Sequence, residues 1–132
     1  MASVRREIVT TALADHVWAA IRDIGALHTR LVPGFVTGTK LEGRVRIVTF
    51  GNGMVIREPI VTIDDAAKRL VWSAQGGVTA HYNAAVEVLT VEGGSTRVVW
   101  TADFLPDEAA ETITAAIATG MAVMKKTLDR MA

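Results

Sequence analysis

Two hydrophobic periods alternate along this chain. Residues 4–11 (VRREIVTT) are β-prone, and Asp15–Arg22 (DHVWAAIR) then places Val17, Trp18 and Ile21 on one side at helical spacing. A strand followed by a short helix is predicted. Ile24–Thr29 reads as a second brief helical turn, closed by Arg30-Leu31-Val32-Pro33-Gly34. Pro33 disfavours helix at Val32, and Gly34 permits a sharp exit. From Phe35 to Phe104 the period becomes two, and turn signals at Glu42-Gly43, Gly51-Asn52-Gly53, Asp64-Asp65, Gly76-Gly77 and Gly93-Gly94 divide it into five to six strands. Their regular spacing suggests an antiparallel meander.

Beyond Pro106 the pattern changes once more. Asp107–Met131 lacks proline and is rich in Ala, Met, Leu, Ile, Lys and Glu, which predicts one long helix. Asp107, Glu108 and Glu111 lie at its positive end and Lys125, Lys126 and Arg130 at its negative end, so charge and direction agree. Its apolar stripe runs Ile113, Ile117, Gly120, Met121, Met124, Leu128. A single amphipathic helix must bury that stripe on the sheet. The expected class is therefore α+β: a curved antiparallel sheet of about six to seven strands around a long C-terminal helix, with two short helices after the first strand.

The hairpin at Gly51-Asn52-Gly53 permits a geometric reading. A three-residue loop pairs Phe50 with Met54, Val48 with Ile56 and Arg46 with Glu58, and all six then share one face. Two of these rungs are apolar, so the face should point inward and carry Arg46 and Glu58 to the interior. A two-residue Asn-Gly loop would shift the register and break the pairing. Alternation in the later strands turns Leu70, Trp72 and Ala74 inward, with Tyr82, Ala84, Val86 and Val88, and with Val98, Trp100, Ala102 and Phe104. The expected lining of an internal cavity is Phe50, Met54, Trp72, Tyr82, Trp100, Phe104, Met121 and Met124. Each of these aromatics and methionines can equally be plain core. Gly120 interrupts an otherwise strong helix at a cost of about 1 kcal/mol relative to alanine, which suggests a close approach by something at that point.

Composition narrows the chemistry. The chain has 132 residues, the length of one domain spanning 1–132. With 14 basic and 14 acidic residues there is no net field to attract nucleic acid or anionic lipid. Cysteine is absent, which excludes disulfides and thiol chemistry and suits a cytoplasmic location. The N-terminus shows no secretory pattern, and Ala115–Met124 is too short and interrupted for membrane insertion. The three histidines, His16, His28 and His81, fit no zinc spacing, so no metal site is expected. Gly51-Asn52-Gly53 leads into a strand and is no dinucleotide fingerprint; no cofactor is implied. His28 and Arg30, on the connecting segment, are candidates for a cavity mouth.

Val17-Trp18 in the first helix, Gly43-x-x-Arg46, Glu58, Leu70-x-Trp72, Tyr82, Trp100 with Phe104, and the final helix with Gly120 follow one another in a distinctive order. Over essentially its whole length the chain resembles the helix-grip superfamily. That superfamily includes START lipid-transfer domains, Bet v 1 pollen allergens and bacterial polyketide cyclase/dehydrase-like proteins. Such proteins often carry a Trp or Pro-rich stretch after the second helix, where this chain has Ala26-Leu27-His28-Thr29-Arg30-Leu31-Val32-Pro33; no specific substrate carries over.

The resemblance implies a binding protein for a small hydrophobic molecule, such as a polyketide, lipid-like or aromatic compound, held between sheet and helix. It equally allows a cyclase/dehydrase-type enzyme, with Arg46, Glu58 or Tyr82 assisting enolisation by proton transfer. A third possibility, different in kind, is a stress-response or interaction module with a solid core. Arg46 and Glu58 are read either as a ligand anchor or as a structural salt bridge. A monomer or a homodimer is compatible with the sequence. A cavity below about 150 Å³ would be too small for the usual ligand range.

Overall fold

The structure is a computed structural model that describes residues 2–132. Strand β1 (Ala2–Thr10) leads into helix α1 (Ala14–Arg22), then a 3₁₀ turn at Ile24–Ala26 and a wider turn at Leu27–Leu31. Six strands follow: β2 (Val36–Glu42), β3 (Val45–Phe50), β4 (Val55–Asp64), β5 (Arg69–Ser73), β6 (His81–Thr90) and β7 (Thr96–Leu105). Helix α2 (Ala110–Asp129) completes the chain after a single turn at Asp107–Ala109. This is the element order that the alternating periods predict, and the one that the resemblance to helix-grip proteins implies.

The seven strands form one sheet in the order β1-β7-β6-β5-β4-β3-β2, antiparallel at every pairing. From β2 to β7 consecutive strands pair because their connections are short. β1 is the exception, crossing to the far edge to pair with β7 from Ala2↔Phe104 to Thr10↔Thr96. Period-two alternation sends Val98, Ala102 and Phe104 of β7, Ala84, Val86 and Val88 of β6, and Leu70 and Trp72 of β5 into the interior. There they meet Ile117, Met121, Met124 and Leu128 of α2, all buried.

The end of α2 is tied to the end of β1. Lys125 Nζ donates to the Val9 carbonyl at 2.8 Å, and Thr10 Oγ1 donates to Asp129 Oδ1 at 2.8 Å. Helix α1 is fastened to the turn after β4, where Trp18 Nε1 and Arg22 Nε donate to Asp65 Oδ1 at 2.9 and 2.7 Å. These bonds, Arg22's first, hold the Asp65 carboxyl below its usual range.

The β3–β4 hairpin adopts the three-residue loop. Phe50 N donates to the Met54 carbonyl at 2.8 Å, and Arg46↔Glu58 and Val48↔Ile56 are directly opposed. Gly53 takes φ +90°, and Asn52 Oδ1 accepts from Met54 N at 2.9 Å, closing the loop. The loop is in turn pinned to the segment preceding β2, because Gly51 N donates to the Phe35 carbonyl at 2.9 Å. A Cβ on residue 51 would stand 2.5 Å from the Gly34 carbonyl oxygen, so only glycine allows this approach. Among the described residues, no helix is long and apolar enough to cross a membrane.

Candidate functional site

The concave side of the sheet and α2 do not meet along their whole length. Between them lies a cavity of about 550 Å³, large enough for a small organic molecule. A solid core is not what the chain builds. Sheet residues of β3 to β7 form one wall, and Ile113, Ile117, Val123 and Met124 of α2 form the other. Exposed residues at its rim, Asn52 and Met54 on the hairpin, Val78 on the β5–β6 loop, and Thr112, Ala116 and Thr119 on α2, mark where it reaches the surface.

Among the described lining residues only Arg46, Glu58 and Tyr82 are ionisable. Opposed positions on β3 and β4 bring the first two together: Arg46 Nε donates to Glu58 Oε1 at 2.9 Å, and Nη2 lies 2.7 Å from the same oxygen. Both residues are buried, at 2% and 7% exposure. The guanidinium also stands 5.5 Å from the centre of the Trp72 ring, a cation–π contact, and Trp72 packs edge-on against Trp100 at 5.7 Å.

Burial raises the Glu58 carboxyl above its ordinary pKa, and the charge and hydrogen bond of Arg46 only partly oppose this. The Tyr82 hydroxyl is likewise pushed up, first by burial and then by the Glu58 charge; Tyr82 is a neutral donor throughout the ordinary pH range. Trp100 Nε1 lies near that hydroxyl and partly offsets the rise, short of a well-formed hydrogen bond. Trp72 Nε1 is buried without a partner.

The structure brings together Arg46, Phe50, Met54, Glu58, Trp72, Tyr82, Trp100 and Met124 of the expected lining. It does not bring in Phe104, Gly120 or Met121. Phe104 is fully buried and stacks on Tyr82 at 6.3 Å, leaving no surface for a ligand. Met121 is packed in the core at 3% exposure. Gly120 faces the Phe35 ring instead of the cavity: a Cβ there would lie 3.0 Å from Phe35 Cε2.

His28 and Arg30 are also displaced from the expected mouth. His28 Nδ1 lies 2.9 Å from Thr39 Oγ1, and Arg30 Nη1 donates to Asp23 Oδ2 at 2.9 Å, so both serve the outer packing of the turns. From the same segment it is Leu27, Leu31, Val32 and Phe35 that line the cavity. Phe35 was legible as one of few aromatics, beside a proline-glycine exit. Thr112, Ala116 and Thr119 gave no sequence signal, because on a helix they read as its solvent side.

The whole chain, residues 1–132, matches the sequence model of a family described as polyketide cyclase / dehydrase and lipid transport. No curated protein matches it by sequence. Among solved structures, protein XoxI from Bacillus cereus is similar with a TM-score of 0.85 at 20% identity, over 97% of this chain and 96% of that one. A Thermobifida fusca protein gives a TM-score of 0.81 at 28% identity, over 99% and 95% of the two chains. The Zhui aromatase/cyclase from Streptomyces sp. R1128 gives 0.76 at 18% identity, over 98% and 92%.

Proposed function

We propose that this chain, which belongs to the polyketide cyclase / dehydrase and lipid transport family, binds a small, largely apolar molecule between its sheet and its C-terminal helix. The observation that carries this reading is the cavity itself: about 550 Å³ of space, walled by aliphatic and aromatic side chains and supplied with one buried ion pair. Apolar walls provide affinity in proportion to the surface they take from water, and a few fixed polar groups orient the guest. Arg46 and Tyr82 are donors, suited to a carbonyl, hydroxyl or carboxylate oxygen on the ligand.

A second reading, proton-transfer chemistry on the bound molecule, is favoured by the raised pKa of Glu58. A carboxylate of raised basicity can take a proton from a carbon beside a carbonyl, while the Arg46 charge stabilises the resulting enolate oxygen. The similarity to an aromatase/cyclase fold is compatible with it. Binding requires only the cavity; catalysis additionally requires Glu58 to reach the substrate carbon.

Native mass spectrometry of the protein isolated from its own host tests the binding reading. A small organic adduct, lost on mild activation, is the expected result. Protein that carries no adduct, and that also fails to enhance the fluorescence of the neutral probe N-phenylnaphthylamine, would overturn it.

A further inference from the structure

The charge inventory of the cavity limits which ligands can enter it and in what form. Arg46 is a permanent cation, since a guanidinium does not lose its proton in proteins. Glu58 faces it from β4, and Tyr82 of β6 is the other ionisable group in the lining. β5 and β7 contribute Trp72 and Trp100, and α2 contributes only threonine and apolar residues. The cavity is therefore electrically neutral while the Arg46–Glu58 pair is intact. Both donors that Arg46 directs at its partner converge on one oxygen, Glu58 Oε1, so a single acceptor holds the guanidinium.

We propose that this cavity takes an amphipathic organic acid, whose anion replaces Glu58 on Arg46 while Glu58 takes up one proton from solvent, so that binding is coupled to a single proton. The inference rests on the reading of the cavity as a ligand site. An anion entering beside an ionised Glu58 would leave two negative charges against one positive at a pair that is itself buried, at 2% and 7% exposure. An uncompensated buried charge is strongly unfavourable, and a like charge at close range raises a carboxyl's pKa. One proton on Glu58 restores neutrality and frees the guanidinium. Burial has already moved that carboxyl upward, in the direction of accepting the proton. Tyr82 stays protonated and cannot substitute as the acceptor. A neutral ligand leaves the pair intact and needs no proton.

Two fluorescent probes with the same rings separate these cases: anilinonaphthalene sulfonate, an anion at every relevant pH, and N-phenylnaphthylamine, which lacks the sulfonate. With wild-type protein, sulfonate affinity should fall as pH rises through the titration of Glu58, by up to about tenfold per pH unit, with the neutral probe unaffected. Glu58→Gln should bind the sulfonate more tightly at the upper end of that titration and abolish the slope, whereas attachment to surface cations would keep it. Should that variant fold poorly, calorimetry of the wild type in two buffers of different ionisation heat counts the protons directly. About one is expected. A count of zero, a slope that survives in Glu58→Gln, or sulfonate binding absent while the neutral probe binds would each overturn the coupling alone. Absence of binding by both probes would overturn the coupling and the cavity reading together.

Discussion

Phe35 rests its ring on the bare backbone of Gly120: a Cβ at position 120 would lie 3.0 Å from Cε2 and 3.2 Å from Cζ. The same ring meets Phe50 edge-on at 5.5 Å. An aromatic from the segment before β2 is thus held between the final helix and the β3–β4 hairpin, at the border of the cavity. Glycine in mid-helix exists here to admit that ring.

Gly120→Ala should therefore leave stability within about 1 kcal/mol of wild type, because the helix gains about 1 kcal/mol in propensity while the ring is displaced by a few tenths of an ångström. Next to the cavity the ring has room to move, and in moving it narrows that space. Urea denaturation should show little change, and N-phenylnaphthylamine should bind several-fold more weakly. Unchanged probe affinity would show that the ring yields in another direction.

Gly51→Ala is expected to be worse than Gly120→Ala. Its Cβ meets the Gly34 carbonyl oxygen at 2.5 Å, and backbone cannot rotate out of the way. The bond from Gly51 N to the Phe35 carbonyl must stretch or break, at a cost of about 1–3 kcal/mol typical of overpacking. Thermal denaturation of the two alanine variants side by side gives the ranking directly.

Arg46→Met removes the counter-ion of a buried carboxylate and should cost about 3–5 kcal/mol at neutral pH. Lowering the pH protonates Glu58 and should recover part of the loss. The double variant Arg46→Met, Glu58→Gln leaves no uncompensated charge and should be more stable than Arg46→Met alone. Urea midpoints at two pH values check all three statements, and a double variant no better than the single would deny the buried charge its role.

The raised pKa of Glu58 has a defined sign in stability. Its folded value lies above the ordinary 4.5, so between the two values the folded chain binds more protons than the unfolded one. The Glu58 contribution is thus fully present below 4.5 and is lost as pH rises through the folded value. Asp65 and Asp129, both lowered by hydrogen bonds, act in the opposite sense: their contributions fade as pH falls. The difference in unfolding free energy between wild type and Glu58→Gln isolates the first effect. It should shift steadily against the wild type as pH rises from about 4.5, and a flat difference would place the Glu58 pKa at its ordinary value.

Much of the architecture could be read locally. Alternation in β6 and β7, helical spacing in α2 and turn residues between strands are properties of neighbours along the chain, and they suffice for element order and for which face turns inward. The Arg46–Glu58 pairing belongs with them, because a short loop at Gly51-Asn52-Gly53 leaves few registers, and period two then carries both residues to the same side. Strand and helix periods encode orientation, which is why Trp72, Tyr82 and Trp100 fell where expected.

Depth was decided elsewhere. Phe104 and Trp100 lie on the same face of β7, yet one is sealed against Tyr82 and the other borders open space. Met121 and Met124 are one turn apart on α2, and only Met124 lines the cavity. Likewise Phe35 took the place expected of His28 and Arg30, whose polar ends found Thr39 and Asp23 instead. Where a helix presses onto a sheet and where it stands clear depends on how curved strands, two short helices and a returning loop pack at once. No periodicity along the chain carries that information, so the sequence alone determined the inward face and the charged pair on it, and tertiary packing alone determined which part of that face is cavity.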